Sequence, residues 1–226
     1  SHLRLNESGL SMQVSYKQRS VVLQAPVLGR FNAYNVLAVL SGLLALGSPL
    51  ELAMPALAQL QSVTGRMQQF GGENLPMVVV DYAHTPDALE KVLITLREQA
   101  TGQLICLFGC GGERDAGKRP MMGAIASQLA DWVVLTSDNP RGEAPDAIIA
   151  EIMKGMHGHY QVEADRAMAI NLAIHSAMPG DIVLLAGKGH ESYQEVAGVK
   201  QPFDDALMAK RALETHPKSL AKELSL

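Results

Sequence analysis

The sequence predicts an α/β protein whose C-terminal part is a doubly wound, mainly parallel, Rossmann-like sheet, preceded by the tail of another α/β domain. Two observations carry this expectation. From Met77 onward, short apolar runs alternate strictly with helical stretches, which implies βαβ units with right-handed crossovers. The residues before about 65 contain strand-like pieces and two helical patterns, too few to close a sheet of their own.

Taken in order, Ser11–Tyr16 and Val21–Leu28 read as the last strands of a sheet, and Gly29–Asn32 as the exit from it. Val36, Val39, Leu40, Leu43 and Leu44 then recur at i, i+3, i+4 spacing, predicting a helix over Asn35–Leu46 that Gly47 closes. A second helix is expected from Leu50 to Leu60. The parallel strands are expected at Met77–Val80, Leu104–Phe108, Trp132–Leu135, Tyr160–Val162 and Asp181–Ala186. Helices between them are expected near Pro86–Gln99, Arg119–Leu129, Pro145–Met156 and Ala167–Ser176, with a last one around Asp204–Glu214.

Composition narrows the function. With 226 residues, 47% hydrophobic residues and a net charge of -4, the chain has an ordinary globular composition. Mild acidity argues against a nucleic-acid or anionic-membrane surface, which needs clustered Lys and Arg. The longest apolar stretch, Val36–Leu46, is interrupted by Ser41 and Gly42 and is far shorter than the roughly 20 residues that span a bilayer. Cys106 and Cys110 would stand roughly 13 Å apart along one strand, beyond disulfide reach, so free thiols in a reducing cytoplasm are expected. The chain begins Ser1-His2, which reads as a piece excised from a longer protein.

The chemistry is expected at strand ends, because in open α/β sheets ligands bind at the carboxyl edge. Met77–Val80 runs into Asp81-Tyr82-Ala83-His84-Thr85-Pro86-Asp87, where Thr85 or Asp87 can cap a helix. Asp81 and His84 read equally as loop hydrogen-bonding groups or as ligand contacts. Leu104–Phe108 runs into a glycine-rich loop in which Gly112–Lys118 matches the phosphate-loop spacing, but Arg119 stands where a Ser or Thr should hold magnesium. We read that match as false; the glycines allow close backbone approach and Arg114 offers a forked cation. Trp132–Leu135 runs into Thr136-Ser137-Asp138-Asn139-Pro140-Arg141-Gly142-Glu143, and the last strand into Gly187-Lys188-Gly189-His190-Glu191. Together the loops predict a zwitterionic pocket. Arg114, Arg141 and Lys188 would receive carboxylates, and Asp138 and Glu191 an ammonium.

Six motifs in combination resemble the Mur ligases, ATP-dependent amide-forming enzymes of peptidoglycan synthesis. They are Gly29-Arg30-Phe31-Asn32-Ala33-Tyr34-Asn35, Gly65-Arg66-Met67, Asp81–Pro86, Gly109–Arg119, Asp138-Asn139-Pro140-Arg141 and Gly187–Glu191. The resemblance implies that residues 1–65 are the C-terminal remnant of a central ATP-binding domain and 66–226 a Rossmann-like amino-acid-binding domain. It implies that Asn32, Asn35, Arg66 and Asp81 belong to the shared nucleotide and catalytic set. It further implies that Asp138, Asn139, Pro140 and Arg141 recognise meso-diaminopimelate, with Arg114, Gly187 and Glu191 at the same amino acid. Tyr82, His84, Lys188 and His190 are placed beside these as nucleotide or loop contacts.

ATP and Mg2+ are the implied cofactors, held largely by residues that should precede residue 1, with no metal ligand in this stretch. The implied partners are meso-diaminopimelate and UDP-N-acetylmuramoyl-L-alanyl-D-glutamate, with no nucleic acid, no membrane and a monomeric state. Two other readings compete. A Rossmann-type oxidoreductase would need G-x-G-x-x-G after the first strand, where Asp81-Tyr82-Ala83-His84 stands instead. A non-catalytic amino-acid-binding module would share the pocket without the turnover.

Overall fold

The computed structural model describes residues 2–6 and 9–217 and divides the chain into two units, Ser1–Val63 and Thr64–Leu226. In the first, β1 (Arg4–Asn6), β2 (Gly9–Tyr16) and β3 (Arg19–Ala25) form an antiparallel sheet, followed by helices α1 (Arg30–Ala45) and α2 (Leu50–Leu57). Leu10, Met12, Leu23 and Ala25 from the strands bury against Val36, Leu40, Ala53 and Leu57 from the helices. Helix α1 begins inside the expected sheet exit, five residues earlier than its apolar spacing shows. Gly29 takes φ 90, and the Asn32 N–H reaches the Gly29 carbonyl at 3.0 Å, so the turn is already the first turn of helix.

The second unit is built on a six-stranded sheet. Its strands are β4 (Gln68–Gly71), β5 (Met77–Asp81), β6 (Leu104–Phe108), β7 (Trp132–Leu135), β8 (Tyr160–Val162) and β9 (Ile182–Ala186). Their order is β4-β5-β9-β6-β7-β8, all parallel except the edge strand β4, which pairs antiparallel with β5. Strand β4 was not expected from the sequence, because its Gln-Gln-Phe-Gly run is polar and half-exposed like many edge strands. Helices α3 (Pro86–Arg97), α4 (Lys118–Leu129) and α5 (Pro145–Met153) pack one beside the next, while α6 (Arg166–Ser176) pairs with α7 (Asp205–Glu214).

Side chains alternate across the strands, so Val78, Val80, Ile105, Leu107, Val183 and Leu185 share one face with Ala169, Ile170, Ala173 and Ala209 of α6 and α7. Val79, Cys106, Leu184 and the buried Leu89, Leu93 and Leu96 of α3 belong to the other face. Because both faces are covered, β6 and β9 read as unbroken apolar runs, β5 does so up to its final Asp81, and all three are buried. Thr85 accepts the Ala88 N–H with Pro86 in the first turn, fixing where α3 starts and leaving Asp81–His84 as the connection at the strand's carboxyl end. After β9 comes a hairpin, β10 (Tyr193–Val196) and β11 (Val199–Pro202), turning on Ala197 and Gly198, both at positive φ. No described helix is long and apolar enough to cross a membrane.

Candidate functional site

Strand β9 returns between β5 and β6, so the connections leaving β5, β6, β7 and β9 are neighbours at one edge of the sheet. They enclose an open cleft of about 460 Å³ whose lining includes Tyr82, His84, Arg114, Asp138, Asn139, Arg141, Gly187 and Glu191. Arg66, Asp81, Pro140, Lys188 and His190 lie outside that lining. Asn32 and Asn35 belong to the other unit, where the Asn35 Nδ2 donates to Asn32 Oδ1 at 3.0 Å on one face of α1.

The Asp138–Arg141 loop is held from two sides. From the hairpin, Gln194 Nε2 donates to the Asp138 carbonyl at 2.7 Å and the Glu195 N–H to Asn139 Oδ1 at 3.0 Å. Arg141 joins the hairpin as an extra bridge opposite Val196, donating its N–H to the Glu195 carbonyl and accepting from Ala197 N–H. This holds Arg141 at φ 51, a left-handed conformation that costs a non-glycine residue of order 1–3 kcal/mol. Its Nη1 donates to the Gly112 carbonyl at 2.7 Å and its Nε lies 3.9 Å from Glu195, so most of its five donors remain for a ligand. Arg114 is exposed and makes no hydrogen bond or ion pair among the described residues.

From the other side, the glycine-rich loop is clasped by Arg119. Its side chain is 2% exposed, forks onto both oxygens of Glu143 at 2.9 Å, reaches Glu151 at 2.8 Å and donates to the Gly111 carbonyl at 3.2 Å. Glu143 also accepts the Glu113 N–H, and these donors, led by Arg119, pull its carboxyl down to about 2. A Cβ on Gly112 would stand 1.9 Å from the Pro140 carbonyl oxygen, so only glycine lets the two loops meet here. The N–H groups of Gly112, Glu113, Gly117 and Arg119 are all spent on protein acceptors. Those four N–H groups are therefore not available to a phosphate.

Lys188 differs from the expected carboxylate receiver. It is fully buried and its ammonium faces Asn139, Asp138 and Glu191, so it is engaged inside the protein. Asn139 is also used internally, its Nδ2 donating to Glu191 Oε2 at 2.7 Å. Burial raises the Asp138 carboxyl above its ordinary value, against the pull of Arg166 and Lys188. Gly187 stands at φ 114, where a Cβ would come within 3.1 Å of Asp138 Oδ2.

Asp81 is the last residue of β5, 5% exposed, and not the loop residue expected from the sequence. Its carboxylate accepts the Met67 N–H at 2.9 Å and the Ala83 N–H at 2.8 Å. Burial raises its pKa, opposed by those two donors and by Arg66. Arg66 lies over the Tyr82 ring, 4.9 Å from its centre, and Tyr82 in turn contacts His84 and His190. The structural role of two buried arginines was not read from the sequence. Besides Arg119, Arg166 pairs with Asp205 at 2.6 Å, both side chains fully buried, and donates to the carbonyls of Ser137 and Ala186, tying the ends of β7 and β9 together. Its partner is 39 residues away, and no local spacing signals it.

A family model described as "Mur ligase, glutamate ligase domain" matches residues 65–189. The chain is 54% identical, over 91% of its length, to the UDP-N-acetylmuramoyl-L-alanyl-D-glutamate–2,6-diaminopimelate ligase of Chromobacterium violaceum, of which it covers 42%. It is 54% identical, over 93% of its length, to the ligase of the same name from Pseudomonas aeruginosa, covering 44% of it. A solved structure of a ligase of that name superposes with a TM-score of 0.80 at 41% identity, over 95% of this chain and 44% of that one. The chain thus spans less than half the length of these relatives.

Proposed function

The chain belongs to the Mur ligase family, and from that premise we propose that it is the C-terminal part of an ATP-dependent ligase joining meso-diaminopimelate to UDP-N-acetylmuramoyl-L-alanyl-D-glutamate, the reaction named for its relatives. The observation that carries this reading is the convergence of Arg114, Arg141, Asp138 and Glu191 on one cleft. Diaminopimelate carries a carboxylate and an ammonium at each end, and the cleft offers two guanidinium groups beside two carboxylates. In our reading Arg141 and Arg114 take carboxylates, bidentate where the fork permits, and Asp138 and Glu191 take the ammonium of the end that does not react.

ATP supplies the phosphoryl group that turns the D-glutamyl side-chain carboxylate into an acyl phosphate. The free amine of diaminopimelate attacks that carbonyl carbon, the new C–N bond forms, and the C–O bond to phosphate breaks. Positioning such an amine is worth up to about 7–11 kcal/mol of the barrier, and this cleft supplies it by gripping the remote end of the amino acid. Among the described residues, no three His, Cys, Asp or Glu side chains gather as a metal-ion site. We assign residues 1–65 to the central ATP-binding domain and 66–226 to the amino-acid-binding domain, with Asn32, Asn35, Arg66 and Asp81 serving the nucleotide and catalytic side. We place the reaction in the cytoplasm.

The test is product formation by the full-length ligase supplied with ATP, the UDP-linked dipeptide and diaminopimelate. A diaminopimelate-dependent release of phosphate, with the amide product identified by mass, is expected. Binding of diaminopimelate without turnover would instead favour an amino-acid-binding module.

A further inference from the structure

We propose that Lys188 is a positioning residue that serves as the built-in counter-ion of the cleft, holding Asp138, Asn139 and Glu191 as one oriented array with a single net negative charge for the substrate ammonium. This deepens the reading of the cleft as the diaminopimelate site and rests on it.

The placement is specific. Asp138, Asn139 and Glu191 line the cleft, while Lys188 sits behind them, fully buried. Its Nζ lies 3.0 Å from Asn139 Oδ1, 3.4 Å from Asp138 Oδ1 and 3.6 Å from Glu191 Oε2, under the Tyr193 ring at 5.9 Å. Two of its three N–H donors are taken by Asn139 and Asp138, Glu191 stands beside it as an ion pair, and full burial keeps the ammonium from a ligand carboxylate. Asn139 passes the constraint on, because its Oδ1 accepts from Lys188 and from the Glu195 N–H while its Nδ2 donates to Glu191. Withdrawing the ammonium therefore removes one contact from each of the three cleft-facing side chains at once.

The charge count points the same way. Two carboxylates face one ammonium, leaving one negative charge to meet a substrate cation. The other charged groups bearing on Asp138 are Arg166 and Asp205, which pair with each other at 2.6 Å and cancel. The nearby Cys110 thiol, pushed up to about 12 chiefly by burial, is neutral. Without Lys188, two carboxylates would share a buried corner, and like charges there oppose joint ionisation. One of them would then bind a proton that the incoming ammonium must displace.

The experiment uses the full-length ligase and measures kcat/KM for diaminopimelate against pH, with KM for ATP as the internal control. Lys188→Met is expected to raise KM for diaminopimelate about 30-fold or more, near 2 kcal/mol. KM for ATP should stay within about threefold, and the acid limb of the profile should move up by about one pH unit. The charge-balanced Lys188→Met/Asp138→Asn variant should return the acid limb to its wild-type position, which loss of structure alone would not do. An unchanged KM and acid limb in folded Lys188→Met overturns the proposal. If Lys188→Met does not fold, the double variant decides: a wild-type acid limb supports the counter-ion role, and a second failure to fold makes Lys188 a folding residue and overturns it. Glu191→Gln and Arg114→Ala separate this from the cleft reading. If those two raise KM for diaminopimelate and Lys188→Met does not, the Lys188 proposal falls alone; if none of the three does, the cleft reading falls.

Discussion

Arg141 shows how the backbone aims a side chain. Its φ of 51 is sustained by a bridge to the β10–β11 hairpin, and one donor is anchored on the Gly112 carbonyl, so the rest of the guanidinium is presented in a fixed direction. L-lysine lacks the carboxylate that we assign to this fork. Arg141→Ala in the full-length ligase should therefore weaken diaminopimelate by about 2–5 kcal/mol, roughly 30-fold to several-thousand-fold in KM. Residual use of L-lysine should change much less. Arg141→Lys should recover only part, because an ammonium cannot reproduce the fork. Steady-state kinetics with both amino acids checks this, and equal losses would move the selectivity to Arg114. Asp81 carries a second expectation at this scale. Its two oxygens take two backbone N–H groups in a buried position, so Asp81→Asn turns a donor toward a donor and should cost about 1–3 kcal/mol, read as a lowered melting temperature alongside lowered activity. The residue types of the site were legible in the sequence because Asp, Asn, Arg, Lys and Glu crowd the strand ends. Which donors face inward was not, and Lys188 and Asn139 differ from Arg114 in that respect alone.

At the level of elements, the two loops of the cleft are clasped together more than either is ordered by itself. Arg119 on α4 binds Glu143 beyond β7, and Glu143 binds the Glu113 N–H in the loop beyond β6. The folded Glu143 carboxyl sits at about 2, below its ordinary 4.5, so its contribution is fully present above pH 4.5 and is lost as pH falls toward 2. Glu143→Gln should accordingly lower the melting temperature at neutral pH, with the gap from wild type closing between about pH 4.5 and pH 2; a gap independent of pH would mean that packing, not charge, makes the clasp. The hairpin that pins Asp138–Arg141 was missed in the sequence, although Val196-Ala197-Gly198-Val199 carries a two-residue turn signal between β-prone residues. Its interspersed Lys, Gln and Glu hid it, since a hairpin with no fully buried residue lacks the apolar alternation that marks a half-buried strand.

For the whole molecule, most of the parallel strands were legible because strands buried on both faces need continuous apolar runs, and β6 and β7 fall where those runs do, whereas β8 is a short Tyr-Gln-Val strand at the sheet edge with two of its three residues exposed. The order of the sheet was not, because nothing local tells β9 to insert between β5 and β6 or β4 to close the edge antiparallel. Yet that insertion gathers four polar loops around one cleft, and the buried Arg166–Asp205 pair keeps the ends of β7 and β9 in step beneath it. The central claim is that this cleft is where the amino acid is held. The most direct measurement is a crystal structure of the full-length ligase with meso-diaminopimelate bound. The ligand should lie in the cleft with one carboxylate on Arg141 and the neighbouring ammonium against Asp138 and Glu191. Diaminopimelate found elsewhere, with Arg114, Arg141 and Glu191 free of it, would contradict the account.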